Sequence, residues 1–295
     1  MTQKPYFGLL GVLICAKCNL RCKGCTSFSD YENDEIYDTD EIIKGLEFWS
    51  KRLDIGSVNI SGGEPFLHPA LEQIIKSIRR CWPSAMIDLT TNGTYITKRP
   101  EILDLLQSIG HCVVKFSQHQ PNKPYTAKTK KFILEKYNWR TCTFRPGWLE
   151  TDNQFYMYIS SEENFLTPLK GNYGSIKPHL NNPDKAFDFC CYGHSLTLHK
   201  TSLYKCYPLA ILEKMLTDFN QQHDPDWQPF LDYKSLDMDH TDQELASFVQ
   251  RAAASEKECA MCPSAEESPA SRHKKRGQWS KPIFPLNLQT SIKNQ

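Results

Sequence analysis

Residues 18–25 read CNLRCKGC, three cysteines at a C-x3-C-x2-C spacing, and the rest of the 295-residue chain can be read outward from them. Three thiolates, from Cys18, Cys22 and Cys25, can hold three irons of a four-iron cube whose usual complement is four. The fourth iron is then open to a small ligand, and that points to catalysis. Spacing alone leaves zinc open as well, because close cysteine pairs in an intracellular chain also build structural metal sites with a fourth Cys or His. Just before the loop, Phe7 to Ile14 is an apolar run too short for a helix and reads as a buried strand of the parallel type.

After the loop the chain alternates. Asp38, Thr39 and Asp40 offer caps for a helix reaching about Arg52, with Ile42, Ile43, Leu46 and Trp49 on one face. Ser57 to Ser61 reads as a second strand, followed by Gly62-Gly63-Glu64-Pro65 and a helix opened by Pro69, in which Leu71, Ile74, Ile75 and Ile78 repeat at helical spacing. Met86 to Thr90 is a third strand running into Thr91-Asn92-Gly93. A helix from Pro100 to Ile109, a strand at Val113 to Ser117, a helix at Thr129 to Tyr137, a strand at Thr141 to Arg145 and a sixth at Phe155 to Ile159 continue the pattern. Such alternation predicts an α/β fold with a parallel sheet and right-handed crossovers, a partial (β/α)6 TIM-like barrel. In barrels the chemistry sits at the C-terminal strand ends. The polar motifs fall there: Cys18 to Cys25, Ser61 to Pro65, Thr90 to Gly93, Ser117 to His119, and Arg145.

The Cys loop together with the Gly62-Gly63-Glu64-Pro65 turn resembles the radical S-adenosylmethionine (SAM) superfamily. Gly24 departs from the aromatic residue common before the last Cys of that family's motif. The resemblance implies a [4Fe-4S] cluster on Cys18, Cys22 and Cys25, whose open iron binds the amino and carboxylate groups of SAM. It further implies one-electron cleavage to a 5′-deoxyadenosyl radical that abstracts hydrogen from a substrate. The cofactor carries that chemistry, and the protein positions it and excludes water. By the same resemblance Gly62, Gly63, Glu64 and Pro65 line the amino acid moiety of SAM, with Glu64 at its ammonium. Thr91 and Asn92 lie near the cofactor, and Ser117 faces its ribose or methionine end. Taken alone, the GGEP segment is an ordinary strand-to-helix turn whose glycines allow close backbone approach. Arg145 could hold a carboxylate or phosphate, or form a surface ion pair. No general base is assigned; His119 is a candidate.

Beyond about residue 160 the alternation stops, and Pro, Asn and Gly become frequent from Thr167 to Asp184. A second cysteine group follows: Cys190, Cys191, Cys206, Cys259 and Cys262, with a β-hairpin expected near Lys200 to Ser202. Thr241 to Ala253 reads as a helix with a capping box from Thr241 to Glu244. This region resembles the auxiliary-cluster domains of SPASM and twitch proteins, although Thr201 stands where many SPASM sequences have Gly. The resemblance implies an auxiliary [4Fe-4S] cluster on Cys191, Cys206, Cys259 and Cys262, with Cys190 competing for the first place. Zinc on four thiolates is the alternative. The expected organisation is a radical SAM core over residues 1–165, a small α+β auxiliary-cluster domain over 166–265, and a poorly ordered polar tail over 266–295.

The net charge of +1 supplies no global field toward nucleic acid or an anionic membrane. The basic run Arg272 to Arg276 reads as a solvated tail, with a phosphate or nucleic-acid patch as the sharper alternative. No spanning segment or cleavage signature is present, so a soluble cytoplasmic protein with reduced thiols is expected. The expected partners are a reductant such as flavodoxin or ferredoxin and a small-molecule, nucleotide or peptide substrate. Two reactions suit the layout: oxidation of a small or nucleotide-like alcohol with the auxiliary cluster as electron acceptor, or peptide maturation by crosslinking or epimerisation. With no evident extension for a leader peptide, the small substrate is favoured. A non-catalytic iron–sulfur or zinc module is the reading from another class.

Overall fold

The computed structural model describes residues 4–22, 25, 27–29, 34–161, 170, 176–190, 193 and 195–267. In order the chain forms β1 (Tyr6–Cys15), α1 (Thr39–Ser50), β2 (Asp54–Gly62), α2 (Leu71–Cys81), β3 (Met86–Thr91), α3 (Pro100–Ile109), β4 (Cys112–Gln118) and α4 (Pro124–Lys136). There follow β5 (Arg140–Thr141), β6 (Trp148–Glu150), β7 (Phe155–Ser161), α5 (Pro183–Phe189), β8 (Ser195–His199), β9 (Ser202–Tyr204), α6 (Tyr207–Asp218) and α7 (Asp242–Ala252). These strands make one nine-stranded sheet in the order β5-β6-β7-β4-β3-β2-β1-β8-β9. From β7 across to β8 all neighbours are parallel, as a partial barrel requires.

Local chemistry explains the elements. Asp38 caps α1 by accepting the Glu41 N–H at 2.8 Å, and the helix buries Ile42, Leu46 and Trp49. Strand alternation sorts the residues of β3 between two environments. Ile87 and Leu89 join an apolar cluster with Ile74, Ile75 and Ile78 of α2 and Leu103 and Leu106 of α3. Met86, from the opposite face, packs instead with Val113, Cys142, Trp148 and Tyr156. One face of the sheet therefore meets the helices, and the other faces inward. The capping box on α7 is formed in both directions between Thr241 and Glu244.

Two expectations change. Thr141 to Arg145 is not a barrel strand: β5 is two residues long and pairs antiparallel with β6, which pairs antiparallel with β7. The cause is the Arg145-Pro146-Gly147-Trp148 turn, closed by the Trp148 N–H to Arg145 carbonyl bond (3.1 Å), with Gly147 at φ 82°. Proline followed by a positive-φ glycine is the type II turn pattern, and it folds the segment back on itself. Arg145 consequently sits in a hairpin turn. The sixth parallel strand is β8, from the hairpin expected near Lys200, which runs beside β1 with Gly11 opposite Thr197. Cys191 and the run 272–276 lie outside the described residues. Among the described residues no helix is long and apolar enough to cross a membrane.

Candidate functional site

The Cys loop leaves β1 at Cys15, and neighbouring strand ends hold it. The Gly63 N–H donates to the Cys15 carbonyl (2.9 Å) and the Glu64 N–H to the Lys17 carbonyl (2.8 Å), so the turn after β2 is zipped onto the chain entering the loop. A Cβ at Gly63 would stand 2.1 Å from the Lys17 carbonyl oxygen, too close for any side chain. From the other side, Ala16 and Lys17 N–H groups donate to the Glu35 carbonyl.

Glu64 is 1% exposed. Its Oε1 accepts from the Thr91 hydroxyl (2.7 Å) and the Phe66 N–H (3.1 Å), and its Oε2 from the Asn92 N–H (2.8 Å). Burial pushes this carboxyl up to about 7, against the downward pull of the three donors. The carboxylate thus ties the turn after β2 to the turn after β3. Pro65 opens the short helix that follows, also buried.

Asn92 is the second joint. Its amide donates to Asn19 Oδ1 (3.0 Å) and reaches Cys18 Sγ at 3.7 Å, while its Oδ1 accepts from the Thr94 N–H and hydroxyl. Asn19 in turn donates to the Thr94 hydroxyl (2.9 Å). Thr94 was not singled out by the sequence; a short polar residue beside a motif carries no spacing signal. Ser117 is buried near the end of β4, opposite Ser160 of β7. Tyr125, near the start of α4, lies close enough to Cys22, Cys18 and Glu64 for their charges to raise its hydroxyl, after burial.

Cys18, Cys22 and Cys25 are half-buried, and none of the described cysteines forms a disulfide. Burial pushes the Cys18 thiol up to about 11, opposed by the Leu20 N–H, at 3.4 Å from its sulfur, and by the Asn92 amide. Among the described residues no three His, Cys, Asp or Glu side chains are placed to hold a metal ion. The donor set nevertheless fits an iron–sulfur cluster: three thiols on one loop, with amide donors turned to the sulfur of Cys18.

In the second group, Cys190, Cys206, Cys259 and Cys262 line one small cavity with Lys205, Gly193 and Met261. Cys190 ends α5, Cys206 precedes α6, and Cys259 sits in the short helix Lys257–Met261, with Cys262 capping it. Burial, with Cys190 and Cys259 nearby, drives the Cys206 thiol well above its usual range. Lys205 is buried, with its ammonium on the Arg251 and Ala252 carbonyls at the end of α7.

Residues 12–146 match the sequence model of the radical SAM superfamily. The match takes in 135 of the 295 residues, including Cys18, Cys22 and Cys25 and the Gly62-Gly63-Glu64-Pro65 turn. Proteins of that superfamily bind a [4Fe-4S] cluster and SAM. The GTP 3′,8-cyclase of Aquifex aeolicus is 30% identical over 134 residues, which is 44% of this chain and 40% of that protein. GTP 3′,8-cyclase 2 of Mycobacterium bovis is 31% identical over 93 residues, 30% of this chain and 26% of that one. The matched stretch therefore spans less than half of these relatives. In fold, the chain is similar to BtrN in complex with AdoMet and 2-DOIA, with a TM-score of 0.50 at 15% identity, covering 88% of this chain and 94% of that one.

Proposed function

We propose that this protein is a radical SAM enzyme whose Cys18, Cys22 and Cys25 hold the [4Fe-4S] cluster, and that it acts on a small or nucleotide-like substrate. The observation carrying this reading is the convergence of three strand ends on one loop: Gly63 and Glu64 are bonded to Cys15 and Lys17, Glu64 to Thr91 and Asn92, and Asn92 to Asn19 beside Cys18. When bound, the cluster supplies one electron to the sulfonium of SAM, which yields the 5′-deoxyadenosyl radical that takes hydrogen from the substrate.

The chain's own residues supply position. The backbone edge of the glycine turn would receive the amino acid end of SAM, with Ser117 on the strand-four side. Both oxygens of Glu64 are already engaged inside the protein, so we assign Glu64 to holding this edge in place, with SAM's ammonium meeting backbone carbonyls of the same turn. The curated relatives are named for a reaction of GTP, which agrees with a nucleotide-like substrate. We further propose an auxiliary-cluster region within residues 166–265, which also lends β8 and β9 to the sheet of the core. There Cys190, Cys206, Cys259 and Cys262 would hold a second [4Fe-4S] cluster able to accept the electron left by oxidation of an alcohol. We assign the first place to Cys190, which lines that cavity, with Cys191 as the alternative ligand.

The test is anaerobic reconstitution with iron and sulfide, reduction, and measurement of 5′-deoxyadenosine from SAM, with metal and sulfide analysis of each Cys group changed to Ala. Formation of 5′-deoxyadenosine that is lost in Cys18→Ala supports the proposal. A reduced, iron-loaded protein that makes none is a binding module instead, and zinc without sulfide at the second group removes the auxiliary cluster.

A further inference from the structure

The inward face of the sheet carries a charged cluster that the radical SAM machinery does not use. Asp88 of β3 sits on the face opposite the helices, between Met86 and Thr90, with its side chain 2% exposed. One of its oxygens, Oδ2, is paired with the ammonium of Lys115 on β4. The other, Oδ1, is buried with no hydrogen-bond partner. Lys115 is 31% exposed and lies opposite Tyr158 of β7. Tyr158 stacks on Trp148 (5.5 Å, 27°), and the guanidinium of Arg145 lies 4.8 Å over the Trp148 ring. Arg145 is near enough to Asp88 to feel its charge.

Stability does not account for this arrangement. A buried ion pair is on average no better than apolar side chains of the same volume. Met86 and Val113, next along the same face, show that apolar packing is available there. An unpartnered carboxylate oxygen costs more still, and a native chain retains one where something else supplies the donor. Two cations against one carboxylate leave the cluster with an excess positive charge. A guanidinium over an indole presents its edge donors to an acid group. Lys115 lies two residues before Ser117, roughly 7 Å down the strand from the end where the cofactor is proposed to bind.

We propose that Asp88, Lys115 and Arg145 form the substrate-recognition subsite, which takes a small molecule bearing a carboxylate or phosphate. Lys115 and Arg145 hold the acid group, and Asp88 Oδ1 accepts a hydroxyl or ammonium hydrogen from the same molecule. The remainder of the substrate then extends toward the Cys loop. This rests on the radical SAM reading for which end of the barrel holds the cofactor.

The test is a binding titration by NMR on the full, reconstituted chain with SAM, using three probes on one skeleton: glycerol 3-phosphate, glycerate and glycerol. At least one acid should bind roughly tenfold or more tightly than glycerol, and the better of the two identifies the acid group. Arg145→Met should weaken that acid by about the same factor and leave glycerol unchanged. Because Lys115→Met alone would strand a buried carboxylate, it is made together with Asp88→Asn, with a thermal melt to confirm folding, and the pair should also lose the preference. If neither acid binds more tightly than glycerol, or if Arg145→Met leaves the acid's affinity intact, the proposal is overturned. Formation of 5′-deoxyadenosine without substrate is measured on the same samples. SAM cleavage with no acid preference removes only this subsite, whereas acid preference with no SAM cleavage removes the radical SAM reading and leaves an anion site.

Discussion

Glu64 lends itself to a double perturbation, by mutation and by pH. In Glu64→Ala the Thr91 hydroxyl and the Asn92 and Phe66 N–H groups lose their acceptor inside the protein. At about 1–3 kcal/mol for each buried donor left unpaired, with relaxation and water recovering part, the expected loss is on the order of 3–5 kcal/mol. Glu64→Gln keeps one oxygen for Thr91 and Phe66 but turns an NH2 toward the Asn92 N–H, and should lose about 1–2 kcal/mol. The charge adds a signature. Burial raises the carboxyl from 4.5 to about 7. A raised folded-state value means that the contribution is complete below pH 4.5 and is lost as pH rises through 7, up to about 3 kcal/mol. Urea unfolding of the metal-free chain and of Glu64→Gln at about pH 4.5, 6 and 8 reads this as the difference between the two proteins: the parent's advantage of about 1–2 kcal/mol at pH 4.5 should vanish and then reverse by pH 8. Parallel stabilities across the window, or a Glu64→Ala protein as stable as the parent, would refute the bridging role.

Burial lowers the imidazole of His199 to about 4, beside Lys200 and with Nε2 buried and unpartnered, so its contribution is present above pH 6.5 and lost as pH falls through 4. His199→Gln should therefore remove up to about 3 kcal/mol of acid sensitivity in urea melts, with a sign opposite to that of Glu64. Gly63→Ala has no room for its methyl beside the Lys17 carbonyl and should cut iron uptake on reconstitution severely; normal iron content would show that the turn can shift. Thr241→Ala should cost about 1 kcal/mol in thermal or urea unfolding through loss of the capping box. Cys190→Ala should abolish iron at the second group while Cys191→Ala retains it, by iron and sulfide analysis; the reverse outcome restores Cys191 as the ligand.

Much of the fold was legible because the signals are local. Ile74, Ile75 and Ile78 repeat at helical spacing, Asp38 caps α1, and the Thr241 and Glu244 spacing predicts the bonds that form. Helix α6 carried the same kind of signal, with Leu209, Leu212 and Leu216 at helical spacing and Pro208 in its first turn, and it could have been read.

Which strands would become neighbours was not legible in the same way. The pairing of β8 with β1 joins residues 186 apart in sequence, and nothing in either run names the other. The Arg145-Pro146-Gly147-Trp148 turn was legible, but its signal was outweighed by the expectation of regular alternation. In the site, the cysteines and the glycine turn stand out because their chemistry restricts residue type. The Asp88 and Lys115 pair does not, because a polar residue alternating with apolar ones looks like any half-buried strand.

The Cys loop is braced by its neighbours. Among the described residues its internal backbone bonds are short-range, from Cys25 N–H to the Cys22 carbonyl and from Phe28 N–H to the Cys25 carbonyl. Its position is fixed from outside, by Gly63 and Glu64 of one strand end and by Asn92 and Thr94 of the next. Those residues in turn depend on Glu64, whose three bonds are the link between the two ends. A loop supported in this way transmits small errors: a displaced Asn92 loses both Asn19 and the amide facing Cys18. Damage to Glu64 should therefore appear at the cysteines, as weakened iron binding, although no atom of the Glu64 carboxylate need touch the metal.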